Sequence, residues 1–449
     1  MDVCTNYMTW KTQPLRKFKI KTLRLQCKIY KAMRQKNIKY VSKLQKILIN
    51  SFATRYTTVE QLMSHNLSHK VANKKKVIFP KNIENIKCIE SFSKKCNKTK
   101  YFSVQKIPIT KPKEERQIFK KLTTADQIVK CVWTRTLNPT YKAIFSCESH
   151  RFRPGKNQWN LQKAILIWVN KLSPSFKAKV LKMEINSRFD KMDHSLLMKE
   201  LILPQKNKIG IFRILKTGIS YRNVLNSNEK ITRKALKPFL GNLALHKVEN
   251  LNESKNFQKQ VLKPNCYFSK GFRYANNVIY ILEENENEDV LIGRIKNFFK
   301  NRSLELNITK LDVTKIADGF NLLEWRFRIT KKGKLISYPN EHHWIAYKTK
   351  VKLVLKNSRY KIQTRIDQVK VIIQRWHNYH KFCDMTQVKS QLYELKIWYN
   401  KYIKLYTKIP KEERILSLRR LFSNHSFKVI RTNSSFHEKA SYWRKSICK

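Results

Sequence analysis

The run Arg273-Tyr274-Ala275-Asn276-Asn277-Val278-Ile279-Tyr280-Ile281-Leu282 decides how the chain is read. Apolar segments flank a pair of asparagines, residues that tolerate the positive φ of tight turns, so the run predicts a β-hairpin with Asn276-Asn277 at its tip. Working outward, Val180 to Ile185 reads as another strand. Ala164-Ile165-Leu166-Ile167-Trp168-Val169 reads as a core strand or a buried helix. Lys106-Ile107-Pro108-Ile109-Thr110-Lys111-Pro112 is extended, because residues before proline avoid the helical region. The acidic run Glu283 to Asp289 reads as an exposed loop. From about residue 101 to 282 short apolar runs alternate with helical stretches, an α+β pattern.

Helices flank this region. Ile20, Leu23, Cys27 and Tyr30 fall at helical spacing, followed by Val41, Leu44, Leu48 and Phe52. They predict two amphipathic helices joined near Gln35-Lys36-Asn37, with basic outer faces. Periodicity alone also fits an ordinary helical hairpin with solvated lysines. From Ser64 to Tyr101 the pattern fades into a loop-rich connection. Beyond Thr330 the chain turns helical again. Val369, Ile373, Trp376 and His380 share one face, and Val388, Leu392, Leu395, Tyr399 and Tyr402 another. The last forty residues are basic and weakly periodic.

Lys and Arg number 95 against 31 Asp and Glu, a net charge of +64. Such a charge strains a compact fold through self-repulsion unless a polyanion neutralises it. A basic tail does not explain it, because the charge runs from Arg16-Lys17 to Arg444-Lys445. An anionic membrane explains it poorly, because aromatics such as Tyr360, Trp376 and Tyr379 are interleaved with the cations, a mixture suited to phosphate contact and base stacking. The expected partner is nucleic acid. Nine cysteines form no CxxC pair and no Cys/His ligand spacing, so neither zinc nor a disulfide framework is expected. No apolar run approaches the roughly 20 residues of a membrane span. The N-terminus has neither an apolar signal core nor a Ser/Arg-rich transit peptide, and the Lys, Asn and Ile richness suits an AT-rich genome. Both favour translation inside an organelle or a bacterium.

Five segments, in order, resemble the group II intron reverse transcriptase/maturase family. Leu44-Gln45-Lys46-Ile47-Leu48 with Asn50-Ser51-Phe52-Ala53 is similar to its basic N-terminal helix. Ser149-His150-Arg151-Phe152-Arg153-Pro154-Gly155-Lys156 resembles the fingers segment SYGFRPGRS, and Phe189-Asp190-Lys191-Met192-Asp193-His194 resembles FDNIDH after the first catalytic strand. Asp318-Gly319-Phe320-Asn321-Leu322-Leu323, preceded by Leu304-Glu305-Leu306 and Lys310, resembles the entry to the maturase domain, domain X. Arg375-Trp376-His377-Asn378-Tyr379 resembles the RGWxNY signature of that domain. The Lys/Asn-rich, degenerate style further resembles the maturase-like proteins of euglenid plastids.

The resemblance implies an α+β chain with right-hand reverse-transcriptase-like fingers and palm, then an α-helical thumb/maturase domain. The divisions it implies are 1–65, a basic N-terminal helical extension; 66–100, a loop-rich connection; 101–303, degenerate fingers and palm; 304–405, thumb and domain X; and 406–449, a basic C-terminal tail. That tail lacks the Cys pairs and His–Asn pattern of the HNH endonuclease, and its His425 and His437 read as surface residues.

Polymerases of this type hold two Mg²⁺ with aspartates, since hard dications need anionic oxygen ligands. Where the family has YADD, this chain has Tyr274-Ala275-Asn276-Asn277, and Glu184 stands at the strand aspartate. Where it has PQGG ahead of SPLLANI, Ile231-Thr232-Arg233-Lys234 precedes Lys237-Pro238-Phe239-Leu240-Gly241-Asn242. Asp190 and Asp193 read as turn and capping residues. No catalytic residue and no protein-bound metal are therefore expected, with Mg²⁺ entering only through bound intron RNA.

The function implied is an intron-binding maturase that promotes splicing of group II or group III introns by stabilising folded RNA. The residues expected on RNA are Lys17, Lys19, Lys21, Arg24, Lys28, Arg153, Lys156, Lys310, Arg375, Asn378 and Tyr379. Trp376 shares an apolar stripe with Ile373 and reads first as core. Further splicing proteins are possible partners, and a membrane is not. The expected location is the plastid (chloroplast) stroma, with the mitochondrion as the alternative. Two other functions fit the same features: a residual RNA-directed DNA polymerase, and a non-specific basic RNA chaperone.

Overall fold

Basic residues broken by apolar ones at helical intervals form α1 (Leu15–Arg34) and α2 (Ile38–Asn50), and α3 (Phe52–Val71) follows. The α1–α2 turn falls at Gln35-Lys36-Asn37 as expected, with Lys36 at φ 57° and the Asn37 side chain capping α2 at Tyr40 N. The computed structural model describes residues 14–71, 104–111, 114–122, 124–172, 177–185, 194–216, 236–252, 269–302, 308–406 and 410–422.

Two expectations for these helices are corrected. Ile20, Leu23, Cys27 and Tyr30 are half-buried, and the inner face of α1 is Thr22, Gln26, Ile29 and Ala32. That face buries polar groups because they are satisfied: Gln26 Nε2 donates to Arg135 O at 2.8 Å, and Thr22 Oγ1 lies 3.5 Å from Thr54 Oγ1. Apolar spacing cannot register such a contact. Second, α3 runs to Val71, past the expected break at Ser64, and nothing from Phe52 to Val71 is Gly or Pro. In α2, Val41, Leu44 and Leu48 are buried as expected, while Phe52 opens α3 half-exposed.

Next come β1 (Val104–Lys111) and β2 (Glu114–Leu122), an antiparallel pair with Ile107 opposite Phe119, then α4 (Thr124–Ile144). Along the chain follow β3 (Ser149–His150), α5 (Gln158–Val169), β4 (Ala178–Ile185), α6 (His194–Glu200), α7 (Gln205–Lys216) and α8 (Leu236–Ala244). Then come β5 (Lys270–Tyr274), β6 (Asn277–Glu283), α9 (Glu288–Lys300) and β7 (Ile308–Lys315). Ala164–Val169 is thus a buried helix, opened by a capping box between Asn157 and Asn160. The acidic run is only partly loop: Asn287 caps α9, and Glu288 and Asp289 sit in its first turn, where negative charge suits the helix dipole.

The central sheet runs β3-β5-β6-β4-β7. Its middle strands are buried on both faces, and the pleat sorts their side chains between two cores. Leu181, Met183, Val278, Tyr280 and Leu282 face a core shared with Trp133 and Leu137 of α4 and Ile295 of α9. Val180, Phe272, Ile279 and Ile281 face another, shared with Ile165 of α5. Strand β7 pairs with β4, so the sheet runs past residue 303, where the resemblance placed the end of the palm.

Three short strands extend that second core: β8 (Phe320–Leu322), β9 (Trp325–Ile329) and β10 (Leu335–Pro339), in the order β10-β9-β8. The helical region expected from Thr330 therefore begins only after β10. It comprises α10 (Glu341–Lys356), α11 (Ile362–Tyr379), α12 (Lys389–Tyr406) and α13 (Lys411–Phe422). Val369, Ile373, Trp376, Leu395 and Tyr399 meet in its core as their spacing predicts, with Trp376 stacked on Tyr347 at 4.6 Å. His380 is fully buried: its Nε2 lies 2.8 Å from His343 Nδ1 and its Nδ1 3.5 Å from Cys383 Sγ, while His343 Nε2 reaches Glu324 Oε2 at 2.6 Å. The architecture is α+β.

Candidate nucleic-acid interface

The hairpin forms where its residues predict it, with its turn one residue earlier. Tyr274 pairs with Asn277, which leaves Ala275 and Asn276 at the tip and makes Asn277 the first residue of β6. The positive φ, 55°, falls on Ala275. Glu184 stands opposite Asn277 across β4–β6, and Ile185 N donates to Asn276 O at 2.9 Å. Register alone thus gathers Glu184, Asn276 and Asn277 at one corner of the sheet. Glu184 and Asn276 are exposed. On the other side of β4, Lys310 of β7 is the backbone partner of Glu184.

This donor set does not fit a two-metal centre: one carboxylate and two amides carry a single negative charge where two hard dications need several anionic oxygens. Among the described residues no group of three or more His, Cys, Asp or Glu is placed to hold a metal ion. Asp190, Asp193, Arg233 and Lys234 lie outside the described residues.

A buried network fixes the corner from behind, and sequence reasoning missed it. Arg273 is fully buried: Nε donates to Glu249 Oε2 at 3.1 Å, Nη1 to Asn242 Oδ1 at 2.9 Å and Nη2 to Ser149 Oγ at 2.5 Å. Asn242 Nδ2 in turn donates to Arg151 O at 3.1 Å, so α8, β5 and the segment Ser149–Lys156 share one knot. Only the resemblance of Lys237–Asn242 and Ser149–Lys156 to family segments hinted that these residues matter.

Within the segment Ser149–Lys156 two expected RNA contacts turn inward. The Arg153 guanidinium donates to Ser146 O at 2.5 Å, Ser149 O at 2.7 Å and Phe145 O at 3.4 Å. Lys156 Nζ donates to Cys147 O at 2.9 Å. Both tie the loop that leaves β3 back to the segment that enters it, whose carbonyls need donors. Arg151 behaves differently: it is exposed, and its guanidinium lies 5.1 Å from the Tyr274 ring centroid and 4.8 Å from that of Phe152. Burial raises the Tyr274 phenol pKa, and the Arg151 charge opposes the rise.

On α1, Lys17, Lys19, Lys21, Arg24 and Lys28 are all exposed. Lys17, Lys21, Arg24, Lys28 and Lys31 recur every three or four residues, so they form one stripe opposite the buried face, with neighbours about 5–6 Å apart. Lys19 lies off it. Arg375 and Asn378 are exposed on α11. Tyr379 is not the exposed stacking residue expected. Its ring packs against Trp325 at 5.2 Å, its carbonyl accepts from Trp159 Nε1 at 2.9 Å, and burial pushes its phenol pKa well up. It ends α11 facing α5 and β9, so its ring serves the core. The side chain of Lys310 lies outside the described residues.

Comparison with known proteins gives matches at the N-terminus and along most of the chain. Residues 10–92 match the N-terminal domain of reverse transcriptase. Maturase-like protein 1 of Euglena gracilis is 24% identical over 420 residues, covering 92% of this chain and 87% of that protein. Maturase-like protein 1 of Euglena longa is 27% identical over 284 residues, covering 62% and 58%. The chain is thus similar to the reverse-transcriptase N-terminal domain at one end and to euglenid maturase-like proteins along most of its length.

Proposed function

We propose that this chain is a non-catalytic maturase: it binds intron RNA and promotes splicing by favouring the folded intron. The observation that carries the reading is the corner of Glu184, Asn276 and Asn277, which keeps its register and lacks the ligand charge for metal-dependent synthesis. The exposed stripe on α1 adds an RNA-facing surface, and similarity to the maturase-like proteins of Euglena supplies the maturase class. In this reading β4–β7 and their helices are the palm, the segment Ser149–Lys156 belongs to the fingers, and α10–α12 form the thumb and domain X.

The mechanism is thermodynamic. A folded intron is opposed by phosphate repulsion and by competing pairings. A protein that binds the folded form better shifts the equilibrium by its differential affinity. Lys17, Lys21, Arg24, Lys28 and Arg375 make phosphate contacts, and Lys19, Lys310 and Asn378 are further expected contacts. Mg²⁺ enters with the RNA. The site of action is the plastid stroma, and the introns are of group II or group III.

The test is crosslinking in the native organelle followed by sequencing of the copurifying RNA. Enrichment of one or a few intron-containing precursors supports the proposal. A flat profile across ribosomal RNA, tRNA and messages points to a non-specific chaperone, and templated primer extension with Mg²⁺ or Mn²⁺ to a surviving polymerase.

A further inference from the structure

Arg151 stands where the SYGFRPGRS segment has glycine, and it adopts glycine's conformation. Its φ is 77°, and Phe152 after it has φ 56°. Side chains rarely enter this left-handed region, so the surroundings must impose it. They do: β3 pairs with β5 through Ser149–Arg273 and His150–Tyr274, Ala275 N donates to His150 O at 3.4 Å, and Asn242 grips the Arg151 carbonyl. The chain therefore leaves β3 beside the hairpin turn, and the arginine can only rise next to it.

The guanidinium then rests on the rings of Tyr274 and Phe152, which limit its freedom without using its N–H groups. Among the described residues it makes no hydrogen bond and no ion pair. A cation with five free donors thus flanks the corner at which the family's two hairpin carboxylates have become amides, and an amide donates as well as accepts. The corner has changed from one that gathers cations to one that offers donors to an anion.

We propose that this corner binds a phosphodiester of single-stranded RNA directly, with Arg151 as a bidentate clamp and the exposed Asn276 amide as a further donor. Planar, forked guanidinium groups suit phosphate oxygens, and the half-exposed Phe152 ring offers a face to an adjoining unpaired base. The inference rests on the RNA-binding reading above but uses residues separate from the α1 stripe.

The test uses the full chain and an unstructured twelve-nucleotide oligouridylate, titrated across a potassium chloride series, with a benzoylphenylalanine photocrosslinker at position 276 in a parallel set. Arg151→Gly restores a residue at ease at φ 77°, so folding is not at risk. It should weaken binding about tenfold, the loss of one charge-assisted contact. It should also make the log–log salt slope shallower by about 0.7 and abolish the crosslink. The control Lys21→Ala with Arg24→Ala should weaken binding and keep the crosslink. Unchanged affinity and slope in Arg151→Gly, or a crosslink that persists there, overturns the site and leaves the RNA-binding reading standing. Failure of the unmodified chain to bind the oligonucleotide overturns the site, and failure to bind a folded intron transcript as well overturns both.

Discussion

Arg273 and Glu249 meet at 3.1 Å, Nε to Oε2, and neither side chain has any exposure to solvent. The pair holds β5 against the short turn at Val248–Asn250, and the same guanidinium reaches Asn242 and Ser149. Removing one partner strands the other's charge. Glu249→Ala should therefore lower stability by about 3–5 kcal/mol, read from urea unfolding. Replacing both residues with apolar ones of similar volume should cost clearly less than either single change. Equal costs would mean that Asn242 and Ser149 hold the arginine by themselves.

Acid should unfold the protein through buried imidazoles. Burial is the first cause that lowers the pKa of His150, with the Lys156, Arg153 and Arg273 charges adding to it, and the value falls to about 2. His380 also falls to about 2, through burial and then His343 and His377. The unfolded chain takes up these protons near the ordinary 6.5, so it binds more protons than the fold below that pH. Stability is full above about 6.5 and falls as the pH drops toward 2. Each histidine contributes a slope of up to about 1.4 kcal/mol per pH unit. His150→Phe should remove one such share between pH 6 and 4; an unchanged slope would show that His150 is protonated in the fold.

Arg375→Ala should make the salt dependence of intron binding shallower by about one contact's worth, and Lys156→Ala should change it little, because Lys156 is committed to Cys147 O. On α1, Lys21→Ala, Arg24→Ala and Lys28→Ala should each lower the slope by about 0.7 with no shift in melting temperature. A fall in melting temperature would assign these side chains to packing.

Asn276→Asp with Asn277→Asp returns two carboxylates to a hairpin whose register already suits them. Primer extension should still give no product, because Glu184 keeps its longer arm and Arg233-Lys234 replaces the glycines of the family. Templated product from the double variant would mean that ligand charge at the hairpin was the sole defect.

The hairpin, the strand Val180–Ile185 and the core face of α11 were legible in the sequence because alternation and helical spacing report burial directly. What escaped was polar. The inner face of α1 carries Thr22 and Gln26, whose partners lie on α3 and α4, and no local pattern announces a partner far along the chain. Arg273 read as an ordinary strand residue, and its burial follows from Glu249 and Asn242 arriving from elsewhere. Arg153 and Lys156 read as RNA contacts because charge suggests exposure, yet carbonyls of β3 and the segment entering it take them. The α1 stripe was legible as basic residues, and the helix then placed Lys19 apart from the rest.

Val278 to Leu282 answer to two cores at once, one through Val278, Tyr280 and Leu282 and the other through Ile279 and Ile281. That double anchorage sets where positions 276 and 277 stand, whatever side chains they bear. Exchange of a carboxylate for an amide at the tip leaves the packing untouched, whereas loss of one methyl group beneath it is felt throughout the sheet. Lineages can therefore erase an enzyme's chemistry residue by residue inside such a frame while its outline is inherited intact, free for a different use.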